Sequence, residues 1–129
     1  MATATKTTIL VVDDDAHFRE TLSDAMSLKD VEVSGAPNGA EAARLLGRHK
    51  PSLILLDVQL PDVHGFNFCR KLKKDQRYRN VPVVLLSAKY TEPADRAEGL
   101  LAGADAYLSK PINLEALWEE VRYLLDKSE

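Results

Sequence analysis

Cysteine, long apolar runs and surplus positive charge are all scarce in this chain, and each shortage excludes something. A single cysteine, Cys69, rules out an internal disulfide and any multi-cysteine metal site. It shares a helical stripe with Phe68 and Leu72, so the thiol reads as buried filler. Lys and Arg number 17 against 20 Asp and Glu, for a net charge of -3, so no basic patch points to nucleic acid as a direct partner. No apolar run approaches the roughly 18 residues that a membrane-spanning helix needs. The stretch Met1–Thr8 is small and polar, without the apolar core of a secretion signal. No membrane association is expected, and the cytoplasm is the expected compartment. Neither G-x-G-x-x-G nor a Walker A string follows the first apolar run, which argues against a nucleotide-binding module. His17, His49 and His64 match no metal-ligand spacing and read as surface residues.

What the chain does have is ordinary globular material. Its 129 residues, 45% hydrophobic and 29% charged, suit one domain over 1–129, with 1–7 as a flexible lead-in. Five strand-then-helix repeats are legible. Strands are expected over Thr8–Val12, Val31–Ala36, Leu53–Asp57, Val83–Ser87 and Ala106–Leu108. The first helix runs from His17 to Leu28. The second opens with an apparent capping box at Asn38-Gly39-Ala40-Glu41 and runs to about Arg48. A third follows Gly65, and a fourth spans Pro93 to Leu101 with Thr91 as N-cap and Gly103 as its stop. Asn113 caps the last, in which Leu114, Leu117, Val121 and Leu124 recur on one side and Trp118 reads as packing. Alternation of this kind builds an α/β domain, a parallel sheet with helices on both faces.

Two of the apolar runs stop at carboxylates. Ile9-Leu10-Val11-Val12 ends on Asp13-Asp14-Asp15, and Leu53-Ile54-Leu55-Leu56 ends on Asp57. Short, wholly apolar strands belong in the middle of a parallel sheet, and acids at their ends lie on its carboxyl edge, where open α/β folds build ligand sites. Carboxylates converging there repel one another unless a cation joins them, so a divalent metal is expected. Asp15 reads instead as the N-cap of the first helix.

The ordered set Asp13-Asp14-Asp15, then Asp57-Val-Gln-Leu-Pro61-Asp-Val-His-Gly65, then Ser87-Ala88, then Tyr107-Leu-Ser-Lys110-Pro111 resembles the receiver (CheY-like) domain of two-component response regulators. The resemblance covers essentially the whole chain and implies a flavodoxin-like (βα)5 fold with strand order 2-1-3-4-5. It implies that Asp57 is the phosphoacceptor, taking a phosphoryl group from the phosphohistidine of a histidine kinase or a phosphotransfer protein. Mg²⁺, or Mn²⁺ in its place, would be held by Asp14, Asp57, the backbone carbonyl of Gln59 and, mainly through water, Asp13. Lys110 and Ser87 would contact phosphoryl oxygens, and the Lys110–Pro111 bond would be cis. Ser87 and Tyr107 would form a switch, the aromatic turning inward as the Ser87 hydroxyl moves to the phosphate, which changes the face made by the fourth helix, fifth strand and fifth helix. The exposed residues Lys89, Tyr90, Glu92, Arg96 and Glu98 would belong to that readout face or its approach.

On this resemblance the domain is not an enzyme in the ordinary sense, but a phosphoacceptor with Mg-dependent self-phosphorylation and autodephosphorylation. Gln59 and Lys89, two residues beyond Asp57 and Ser87, would tune how long the phosphate lasts. Ala106 stands where one DNA-binding regulator class carries a second acid used in dimer contacts. The output would be a downstream protein target or a fused effector, and no DNA-binding helix-turn-helix is visible. The chain therefore reads as a stand-alone receiver or as a piece of a longer protein, including a phosphate carrier in a hybrid kinase or phosphorelay. A metal-dependent phosphohydrolase is the reading from another class. Asp13-Asp14-Asp15 has the Asp-x-Asp spacing of the haloacid-dehalogenase phosphatases, but the small or threonine residues that follow it there are missing.

Overall fold

Three short apolar runs and two more mixed ones become five parallel strands in the order β2-β1-β3-β4-β5. The computed structural model describes residues 7–128, and the elements alternate throughout. They are β1 (Thr8–Val12), α1 (Ala16–Ser27), β2 (Glu32–Ala36), α2 (Gly39–Arg48), β3 (Leu53–Asp57), α3 (Gly65–Lys74), β4 (Val83–Ser87), α4 (Pro93–Leu101), β5 (Ala106–Ser109) and α5 (Leu114–Lys127). Residues 1–6 of the expected lead-in lie outside the described residues. Thr7 already accepts a hydrogen bond from the Glu32 N–H at 2.9 Å. Among the described residues no helix is long and apolar enough to cross a membrane.

The sheet separates two cores by the two-residue period of its strands. Ile9, Val11, Leu53, Leu55, Val84 and Leu86 face α1 and α5, where Leu22, Met26, Leu117, Val121 and Leu124 meet them. Leu10, Val12, Ile54, Leu56, Val83 and Leu85 face the other way, onto Ala42 and Leu46 of α2 and Phe66, Cys69 and Leu72 of α3. β1, β3 and β4 are buried at every position, whereas β2, on the edge, is mostly exposed. Cys69 is wholly buried, and burial pushes its thiol up to about 11. Trp118 is half-buried against the α1–α5 core, with Lys29 Nζ 5.7 Å from its ring centroid.

Several helix ends differ from expectation. The cap of α4 is Glu92, not Thr91, and its backbone N–H donates to Asp95 at 3.2 Å. Pro93 opens the helix, and the residue before a proline is pushed into extended backbone, which makes Glu92 the last non-helical residue. At α2 only half of the capping box forms. Asn38 accepts from the Glu41 N–H at 2.8 Å, but the Glu41 carboxylate is held by Arg44. Leu114 is 38% exposed because it is the first helical residue, and the buried stripe of α5 begins one turn later at Leu117. Gly103 ends α4 at a φ of 105°, backbone that a side chain would strain.

Candidate functional site

The parallel register brings the ends of β1 and β3 side by side: Val12 pairs with Leu56, so Asp13 and Asp57 are the next residues along adjacent strands. Ligand oxygens of Asp13, Asp14 and Asp57 all lie within 4.8 Å of one another. Asp13 is 1% exposed and Asp57 6%, while Asp14 faces solvent. A recess of about 320 Å³ opens over Asp14 and Asp57, rimmed by Gln59, Pro61, Ala88 and Lys110.

Charge in this recess is unevenly balanced. Lys110 Nζ donates to Asp13 Oδ2 at 2.7 Å and lies 3.9 Å from Asp57 Oδ1. Asp13 Oδ1 accepts from the Asp15 N–H at 2.9 Å, so both of its oxygens are engaged. Asp57 has less. Burial, with the Asp13 charge beside it, pushes its carboxyl up to about 6, against the pull of Lys110 and the Gln59 N–H. A carboxyl raised by burial and like charge is poised for a cation that would relieve both. The donor set, hard carboxylate oxygens open to solvent on one side, fits Mg²⁺ or Mn²⁺ and not a thiophilic metal.

β4 and β5 bring up the remaining residues. Ser87 ends β4 at 1% exposure, and its Oγ accepts from the Tyr90 N–H at 2.8 Å. Its hydroxyl also lies beside that of Tyr107, the group it can donate to here. The backbone carbonyl of Ser87 accepts from the Lys110 N–H at 2.8 Å, fixing the start of the turn in which the Lys110–Pro111 bond is cis. Tyr107 is 1% exposed, directed inward, and its hydroxyl donates to the Tyr90 carbonyl. Gly99 makes the space: a Cβ there would stand 2.6 Å from the Tyr107 ring. Tyr90 is therefore a half-buried link between Ser87 and Tyr107, not an exposed readout residue, and Arg96 donates to the Tyr107 carbonyl at 2.9 Å.

Four neighbours escape sequence reading. The Phe18 ring lies under Lys110, with Nζ 4.3 Å from the centroid. Arg19 Nη1 donates to the Asp13 carbonyl at 2.5 Å. His64, expected at the surface, is half-buried as the N-cap of α3, its Nδ1 accepting from the Phe66 N–H at 3.2 Å. Its ring meets Phe66 at 4.7 Å and Tyr90 at 5.4 Å, edge to face, which accounts for the burial. Asp62 accepts from two amides at the start of α2, Gly39 and Ala40, both at 2.9 Å. Of these, only Phe18 carries a signal in the sequence, its place on the apolar stripe of the first helix. Asp15 caps α1 as expected, accepting from the Phe18 N–H at 3.2 Å.

Comparison with known proteins returns one family. A family model described as the response regulator receiver domain matches residues 9–122. The chain is 39% identical over 121 residues to the transcriptional regulatory protein GltR of Pseudomonas aeruginosa, covering 94% of this chain and 50% of that one. It thus spans about half the length of curated relatives of this kind. Among solved structures, a putative response regulator from Chloroflexus aurantiacus superposes with a TM-score of 0.88 at 29% identity, covering 95% of this chain and 99% of that one. The receiver domain of a signal transduction histidine kinase from Syntrophus aciditrophicus gives 0.86 at 33% identity, covering 94% and 91%.

Proposed function

The chain belongs to the response regulator receiver family of two-component signalling, and on that premise we propose that Asp57 accepts a phosphoryl group from a histidine kinase or phosphotransfer protein. The observation that carries this is the convergence of Asp13, Asp14 and Asp57, with ligand oxygens within 4.8 Å of one another, and Lys110 Nζ 3.9 Å from Asp57 Oδ1. A carboxylate oxygen of Asp57 attacks the phosphorus of phosphohistidine. The new P–O bond forms as the P–N bond breaks, and the imidazole nitrogen leaves with the electron pair and takes up a proton. Lys110, which needs to swing only a short way from Asp13, meets one phosphoryl oxygen. Ser87 turns its hydroxyl hydrogen from Tyr107 to another.

Asp14, Asp57 and the Gln59 carbonyl, with Asp13 behind water, would hold Mg²⁺ or Mn²⁺, which supplies charge neutralisation of the transferred oxygens. The same residues would support self-phosphorylation from small phosphodonors and the later hydrolysis of the acyl phosphate, with Gln59 and Lys89 setting its lifetime. Residues 1–129 would form one receiver domain, acting in the cytoplasm on a protein target or a fused effector. Direct contact with nucleic acid is not part of this reading of the receiver. The test is mass spectrometry after exposure to acetyl phosphate and Mg²⁺. A phosphoryl adduct on the peptide containing Asp57 is expected, and no adduct, or one placed elsewhere, would overturn the assignment.

One observation favours the phosphate-carrier form of this role. Tyr107 already occupies the inward position that a switch would use after phosphorylation. Beryllofluoride, which mimics the phosphoryl group, separates the two forms: amide shifts reaching α4, β5 and α5 mean a switch, and shifts confined to the loops around Asp57 mean a carrier.

A further inference from the structure

Beyond the strand ends, the metal-site residues hang on two separate loops. Asp13 and Asp14 follow β1, and the Asp13 N–H donates to the Ala36 carbonyl at 3.0 Å, which ties that side to the turn leading into α2. Gln59 lies on the other side, in the loop between β3 and α3. That loop is closed on itself by the Gly65 N–H to Val58 carbonyl bond at 2.7 Å and by a bridge between Gln59 and His64. Neither bond reaches across to the β1 side. Asp62 does: Oδ1 takes the Gly39 N–H and Oδ2 the Ala40 N–H, each at 2.9 Å. A carboxylate holding two orphan amides at a helix start is a strong, directional contact. It also holds the Asp62 carboxyl below the usual carboxylate range. Gly39 is buried, and a Cβ there would stand 2.6 Å from Val63 Cγ1, so the helix start lies hard against the loop.

We infer that Asp62 is a positioning residue for the metal site: by clamping the β3–α3 loop to the start of α2, it sets the distance between the Gln59 carbonyl and the carboxylates after β1. The ring runs Asp13, Ala36, Gly39, Asp62, Gln59 and back through the β1–β3 pairing. Cutting it at Asp62 lets the loop drift without touching a ligand. Residues that orient metal ligands from outside commonly change affinity by about tenfold or more when removed. The inference rests on the metal reading above.

The test is Mg²⁺ binding by calorimetry, with amide NMR, on wild type, Asp62→Ala and Asp62→Asn. Asp62→Ala should bind about tenfold more weakly. Asp62→Asn removes the same charge but keeps one acceptor for Gly39, so its loss should be smaller. In wild type, Mg²⁺ should shift the Gly39 and Ala40 amides, and in Asp62→Ala those shifts should vanish while the Asp13 and Asp14 shifts remain. Unchanged affinity in the folded Asp62→Ala protein overturns the role, whatever happens to its melting temperature. Equal losses in both variants report charge alone and overturn it too. If Asp62→Ala does not fold, Asp62→Asn decides: weaker binding with the Mg²⁺ shift of the Ala40 amide lost supports the clamp, and unchanged binding, or weaker binding with that shift kept, refutes it. A wild type that fails to bind Mg²⁺ at all would instead overturn the metal reading.

Discussion

Both edges of the sheet pair aspartate with lysine, yet they reach opposite balances. Where β4 and β5 begin, Asp105 Oδ2 accepts from Lys73 Nζ at 3.0 Å and from the Val83 N–H at 2.8 Å. Lys73 donates further, to the Val81 carbonyl at 2.8 Å. One acid meets one base, and backbone groups absorb the remaining valence. Where β1 and β3 end, three acids share one lysine, and that lysine is spent mainly on Asp13. The first arrangement is a closed knot that holds α3 and the sheet together. The second is charge left unmatched within a fold that matches it elsewhere, which is where reactivity and metal affinity are to be expected.

That contrast can be broken outright at Asp57. Asp57→Asn keeps the shape but removes the anionic nucleophile, so the phosphoryl adduct from acetyl phosphate should disappear by mass spectrometry while circular dichroism stays native. Asp14→Ala removes a ligand and a repelling charge together. Its Mg²⁺ affinity should fall by more than about tenfold in a titration, and its melting temperature without metal should rise.

The open edge should also betray itself through pH. The Asp57 carboxyl is raised from 3.8 to about 6 in the folded protein, so between those values the native state binds more protons than the unfolded chain. Its contribution without metal is therefore destabilising above about 6 and is relieved as pH falls toward 3.8, by roughly 1–3 kcal/mol. Denaturant titrations at about pH 7.5 and about pH 5, roughly one and a half units above and one unit below the raised value, should show part of this gain unless Mg²⁺ is present. At the closed edge the smallest effect is expected. Lys73→Met should cost roughly 1–2 kcal/mol in thermal or chemical unfolding, because Asp105 keeps its Val83 amide and partial exposure, and phosphorylation should be untouched.

The gathering of Asp13, Asp14, Asp57, Ser87 and Lys110 at one edge was legible because each residue ends or follows a predicted strand, whereas the strand order came only with the family resemblance. In a parallel sheet, all such ends share one side. What stayed hidden depends on partners distant in sequence. Asp62 looks like any exposed loop acid, since the amides it holds are 22 and 23 residues away. His64 reads as a surface histidine because its burial comes from Tyr90, on another loop. Tyr107 announces an aromatic, but its inward placement depends on the missing side chain of Gly99. The Glu92 cap was within reach of local rules, through Pro93, and differs from the Thr91 expectation for that reason.

The burial of Cys69 carries a practical consequence for all of these measurements. It is the chain's only thiol, wholly enclosed under α3, and raised to about 11 so that almost none of it is thiolate near neutrality. A maleimide or spin-label reagent applied to the folded protein will therefore pass it by. Cysteines introduced singly on the β3–α3 loop or on α4 become the only reactive positions, and the native sequence needs no prior removal of sulfur. Probe pairs placed across the mouth of the recess can then report its opening and closing directly.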